Sequence, residues 1–228
     1  MDEWRRLLYP LGFIASLFFG SRFIVQWVAS ERRGYSFVPK SFWIFSLCGN
    51  LLLGLHSIIQ IQFHVCLAQV SNGVIGWRNL NLMKPREERA SFITTVLLMS
   101  AGLVGTILLF ILQDWMIGRE GHWFRVPQAP WKENTADISF SWHLMGFFAY
   151  LLFCSRFWVQ WWYAEREQKS ELPPLFWWLS LVGTAFTLLY FWKIGDLVNI
   201  IGSATGLVPY VRNLMLLYKP KQPIAEHE

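Results

Sequence analysis

The chain has 228 residues, of which 54% are hydrophobic, 18% aromatic and only 15% charged, with a formal net charge of +5. A charge density this far below the roughly 25% of soluble domains excludes an ordinary water-soluble globule and points to lipid as the solvent. Five histidines without ligand spacing, no carboxylate pair and no nucleophile triad give no sign of metal or hydrolytic chemistry, so no cofactor and no nucleic-acid partner is expected.

Windows long enough to cross about 30 Å of hydrocarbon as a helix predict seven spans. They lie near 7–29, 41–61, 63–83, 91–112, 139–164, 174–192 and 197–218. The first follows Arg5 and Arg6, as the apolar core of a signal peptide would, but an internal copy of the same segment at Phe140 to Ala164 predicts that both cross the bilayer. The fourth is followed by a longer loop holding Trp115, Trp123 and Trp131, expected to rest at the membrane–water boundary. In the seventh, Gly202-x-x-x-Gly206 is expected to admit a close helix neighbour, and Pro209 to bend the span. Cys48, Cys66 and Cys154 all fall inside spans, which argues against a disulfide framework.

Residues 21–82 match residues 155–216 at 21 of 62 positions at a constant offset of 134, without a gap. The chain is therefore an internal repeat. Each copy holds three spans, and the unpaired fourth lets both copies enter the membrane in one orientation. The expected architecture is an all-α membrane protein of seven transmembrane helices, two parallel three-helix bundles joined by one linker helix. Residues 1–86 form the first repeat, 87–137 the linker helix and outer loop, and 138–228 the second repeat with a short cytoplasmic tail.

Basic residues of the loops set the expected orientation. Ten fall on one side (Arg32, Arg33, Lys40, Lys84, Arg86, Arg89, Arg166, Lys169, Lys219, Lys221) and six on the other (Arg5, Arg6, Arg119, Arg125, Lys132, Lys193). The side of ten is expected to be cytoplasmic, with the N-terminus outside and the C-terminus inside.

Four basic residues remain, Arg22 with its copy Arg156 and Arg78 with its copy Arg212. Arg78 and Arg212 lie near helix ends, where a long side chain can snorkel to the headgroups. Arg22 and Arg156 are deeper, and an arginine at mid-span costs about 2.5 to 3.5 kcal/mol, which calls for a buried partner or a polar cavity. Gln26 and Gln160, one turn on, are the first candidate acceptors. Glu31, nine residues from Arg22, points to the other side of its helix. Two readings stay open: a structural network, or an anion site in which the arginine forks take a phosphate. Further polar residues able to line such a site are Asn50, Asn72, Asn79, Thr184 and Asn213.

The run "QWVASERRGYSFVPKSFW" from Gln26 to Trp43 with "GWRNLNL" from Gly76 to Leu82, and in the second copy "QWWYAEREQKSELPPLFWW" with "YVRNLML", resembles the lipid A biosynthesis N-terminal domain family. The resemblance implies a small membrane domain of the bacterial inner membrane, sometimes fused to the glycosyltransferase part of lipid-A-disaccharide synthase. That part is not in this sequence, so the chain is expected not to carry the activity by itself. A phosphorylated lipid or saccharolipid, or a separately encoded glycosyltransferase, is the partner the resemblance implies. The 3+1+3 layout also resembles the SWEET and PQ-loop proteins, which implies a small-solute transporter; an arginine near their Pro-Gln hinge position shifts the expected cargo toward an anion.

Overall fold

A computed structural model describes residues 5, 7–117, 123, 139–194, 200, 203, 204 and 206–218. These residues contain no strand. They form seven α-helices: α1 Leu11–Arg33, α2 Lys40–Gln60, α3 Phe63–Leu82, α4 Phe92–Ile117, α5 Phe140–Glu167, α6 Pro174–Ile194 and α7 Leu207–Tyr218, with a 3-10 turn at Arg86–Glu88. Four helical stretches are long and apolar enough to cross a membrane: Leu11–Arg33, Lys40–Gln60, Arg86–Met116 and Pro174–Lys193. They make the chain a membrane protein. The polar content of α3 and α5 keeps them off that count, yet it is turned inward: Arg78, Asn79 and Asn81 of α3 and Arg156 and Gln160 of α5 are buried.

The helix ends have local causes. Helix α1 runs a turn past the expected 29 because Gly34 adopts φ 72° and its N–H returns to Ser30 O at 2.9 Å, a left-handed cap that glycine adopts without a Cβ penalty. Between α2 and α3 the same cap falls on Ile61 at φ 58°, with Gln62 N–H bonded to Ser57 O at 2.8 Å, so the two helices reverse almost without a loop. Pro209 sits in the first turn of α7, where its missing N–H would be unsatisfied in any case. A Cβ on Gly206 would meet the Tyr210 phenol one turn on. Trp115 is exposed, whereas Trp123 packs against Phe63 and Phe110 and its carbonyl accepts the Phe63 N–H at 2.9 Å, so it belongs to the core. Arg6, Arg119, Arg125, Trp131, Lys132, residues 197–199, Gly202, Lys219, Lys221 and the rest of the tail lie outside the described residues.

The main core lies between the copies and is built of equivalent positions. Phe23 and Phe157, Val38 and Leu172, Phe42 and Phe176, and Trp43 and Trp177 are all buried in one cluster. In lipid, helices are held by such close packing and by interhelical hydrogen bonds, since apolar surface gains nothing by leaving acyl chains. The polar groups in this core therefore decide how the copies are joined.

Candidate functional site

Two amide pairs tie the copies together at the end carrying loops 34–39 and 168–173. Gln26 Nε2 of α1 donates to Asn213 Oδ1 of α7 at 2.7 Å, and Asn213 Nδ2 donates back to Gln26 Oε1 at 2.9 Å. The copies exchange roles in the second pair: Gln160 Nε2 donates to Asn79 Oδ1 at 2.7 Å, and Asn79 Nδ2 to Gln160 Oε1 at 3.0 Å. Ser36 Oγ joins the first pair at 2.9 Å and its copy Ser170 joins the second at 2.8 Å. Each glutamine also holds its own loop, through Phe37 O at 3.3 Å and Glu171 O at 3.1 Å. All four amide side chains are fully buried. Contacts that repeat with the copies exchanged are those of an isologous, pseudo-twofold interface.

The same exchange governs the ion pairs. Arg78 of the first copy binds Glu165 of the second, Nε to Oε1 at 2.6 Å and Nη2 to Oε2 at 2.8 Å. Arg212 of the second binds Glu31 of the first in the same bidentate way, with Nη2 to Oε2 at 2.9 Å. Trp27 and Trp161 donate from their indoles to Glu31 and Glu165, at 2.9 and 3.0 Å. Arg78, buried and held by a carboxylate of the other copy, does not reach headgroups as expected, whereas Arg212 is held in the same way yet stays 42% exposed. Arg78 also donates to Ala90 O.

Arg22 and Arg156 sit deeper, 4% and 1% exposed. Arg22 Nη1 donates to Ser46 Oγ at 3.1 Å, and Arg156 Nη1 to Ser180 Oγ at 3.3 Å and to the Tyr210 hydroxyl at 3.0 Å. Both guanidinium groups flank the same rings: Phe157 lies 5.1 Å from Arg22 Cζ and 4.9 Å from Arg156 Cζ, and Phe23 lies 4.8 and 5.8 Å away. Ring faces attract cations. Still, no carboxylate among the described residues pairs with either arginine, and Arg22 Nε and Arg156 Nε are buried without an acceptor. Gln26 and Gln160, expected to accept from these arginines, are consumed by the asparagine pairs instead.

Ser46 and Ser180, each holding an arginine, stand one turn before Asn50 and Thr184 on the same helix faces. Asn50 Nδ2 and Thr184 Oγ1 are buried and have no hydrogen-bond partner among the described residues. The centre thus offers unsatisfied donors at two sets of equivalent positions, 22 with 156 and 50 with 184. Such an arrangement can accept an oxyanion. Half-buried Asn72 makes no hydrogen bond to this centre. Glu31, Glu165, Ser36, Ser170, Ser46 and Ser180 were not among the expected site residues, although all six match across the repeat. Tyr210 has Gly76 as its counterpart and carried no such signal.

Residues 11–81 and 145–215 each match the model of the family described as Lipid A Biosynthesis N-terminal domain. Proteins named lipid-A-disaccharide synthase are similar to the chain. That of Chlamydia pneumoniae is 40% identical over 95% of this chain and 34% of its own length. That of Chlamydia abortus is 39% identical over 94% and 34%, and that of Chlamydia trachomatis serovar D 37% identical over 92% and 34%. The chain spans about a third of the length of these relatives. No solved structure matches it. Two matched segments separated by the offset of the repeat, each carrying the arginines, glutamine and asparagine of the interlock, place the chain in the Lipid A Biosynthesis N-terminal domain family.

Proposed function

We propose that this membrane protein of lipid A biosynthesis binds or translocates a phosphorylated lipid or saccharolipid, with Arg22 and Arg156 as the anion-holding groups. One observation carries the reading: two buried guanidinium groups face the same pair of rings with no carboxylate partner among the described residues. Two cations so placed repel each other, and an anion between them would reverse the sign of that interaction. A neutral sugar would leave both charges uncompensated, so the twin arginines favour an anionic cargo.

In this reading all seven expected spans, the last of them residues 197–218, cross the inner membrane and the two copies stand parallel. In the same reading the interlocked end faces the cytoplasm and the N-terminus lies outside, which the loop excess of basic residues supports. The matched region makes up about a third of longer relatives named for disaccharide synthase, which supports placing this module beside that reaction, in one chain with it or next to a separately encoded glycosyltransferase.

Native mass spectrometry of the gently extracted chain, with phosphorus analysis of the co-purified lipid, tests the proposal. Lipid phosphorus per chain is expected to be equal in the parent and in Arg22→Lys with Arg156→Lys, and lower by one bound lipid in Arg22→Gln with Arg156→Gln. Equal lipid phosphorus in the glutamine variant and the parent, both folded, overturns it.

A further inference from the structure

The copies differ in what covers the outer face of their third helix. In the first copy α4 follows from a segment gripped by α3: Arg78 Nη1 donates to Ala90 O, and Asn81 Oδ1 accepts the Ala90 N–H at 3.3 Å. In the second copy, among the described residues, no helix lies on the equivalent face of α7. Val208, Val211 and Met215 are 57%, 39% and 58% exposed there, and with Leu207 and Arg212 they line a shallow groove of about 380 Å³.

The two polar groups that grip Ala90 have different fates in the second copy. Arg212 takes the place of Arg78. Its Nε and Nη2 are occupied by Glu31, and Nη1, the atom that in Arg78 holds Ala90 O, has no acceptor among the described residues. Met215 takes the place of Asn81, so the acceptor for an incoming N–H is gone. The groove keeps a donor for an oxygen, loses the acceptor for an amide and gains apolar surface. A polypeptide brings both amide groups, whereas a lipid headgroup brings phosphate oxygens and its tail an apolar chain.

We propose that this face of α7 is a binding site for a phosphate-bearing membrane lipid, with a phosphate oxygen on Arg212 Nη1 and an acyl chain along Val208, Val211 and Met215. The site is separate from the twin-arginine centre, since Arg212 is 42% exposed at its side chain while Arg22 and Arg156 are buried. Glu31 already balances the charge of Arg212, so a zwitterionic phosphodiester suits the site as well as an anionic one.

The full chain in nanodiscs of phosphatidylethanolamine and phosphatidylglycerol, released into native mass spectrometry, tests this. Either phospholipid should be retained by the parent, and diacylglycerol added as the control should not. Val211→Trp, which puts the residue of the first copy's position 77 into the groove, should lower retention at least tenfold, as should Arg212→Gln. Met215→Phe fills the same groove if Val211→Trp fails to fold. Arg22→Gln with Arg156→Gln should leave this lipid in place, which separates the two sites. Equal phospholipid retention in the groove variants, retention of diacylglycerol, or a dimer that Val211→Trp dissociates would each overturn the assignment, the last by showing a second copy on this face.

Discussion

Glu165 grips Arg78 through two parallel hydrogen bonds across 87 residues of sequence, and the repeat-related Glu31 grips Arg212 across 181. The two pairs have the same chemistry in different surroundings. Side-chain exposure is 3% for Arg78 and 13% for Glu165, against 42% and 36% for Arg212 and Glu31, because α4 covers only the first pair. The repeat therefore supplies an internal comparison of one ion pair in two settings.

Glu165→Gln should destabilise the fold by about 3 kcal/mol, since it leaves Arg78 charged and buried without a counterion. Glu31→Gln should cost much less, because solvent and headgroups can reach Arg212. Thermal unfolding of both variants in the same detergent checks the order. Equal shifts would mean that burial by α4 does not set the strength of the pair.

The Gln160–Asn79 pair should behave as a unit. Gln160→Leu or Asn79→Leu alone strands a buried amide, at about 1–3 kcal/mol each. Replacing both removes donor and acceptor together, so the double variant should be more stable than the sum of the single losses by about 1–2 kcal/mol. A double-mutant cycle read by unfolding measures that coupling, and additive losses would show that the two amides act independently.

The residues of this interlock were visible in the sequence, but their partners were not. Polar residues recurring at one offset in an apolar chain single out Arg22, Gln26, Arg78 and Asn79 with their copies, because lipid tolerates such groups only where something satisfies them. Which group satisfies which is a property of packing between copies. Gln26 lies one turn from Arg22 and looks like its acceptor, yet it bonds Asn213, 187 residues away. Glu31 points away from Arg22 on its own helix, and its partner, Arg212, sits on α7. The matched Glu31/Glu165 and Arg78/Arg212 positions carry enough information in the sequence for an exchange of partners between the copies. Tyr210 could not be found this way, because it falls where the repeat breaks and Gly76 stands in the first copy.

Glycine substitutions should separate close helix packing from helix propensity. A Cβ on Gly49 would stand 2.6 Å from Cε1 of Phe19, whose ring also lies 4.7 Å from Arg22 Cζ, so Gly49→Ala must displace a ring of the arginine site. A net loss of about 1–3 kcal/mol is expected. Gly105 in α4 has nothing within 4 Å, and Gly105→Ala should gain up to about 1 kcal/mol from propensity alone. Melting temperatures moving in opposite directions would bear this out; a loss at both positions would show that α4 meets a neighbour at Gly105.

The twin arginines should weaken the fold they occupy. Each is buried, each has an Nε without an acceptor, and both face Phe23 and Phe157. A methionine of similar length removes the charge and keeps the packing, and replacing buried charge by apolar volume is often neutral or stabilising by about 1–4 kcal/mol. Arg22→Met and Arg156→Met should therefore melt at or above the parent temperature. Inorganic phosphate at millimolar concentration, used as the smallest probe of an oxyanion site, should raise the melting temperature of the parent and leave that of the methionine variants unchanged, because only the parent has a bound state to draw on. If both methionine variants instead unfold well below the parent, the arginines are pinned by their serines and rings as structural members, and the centre is built for the fold rather than for a ligand.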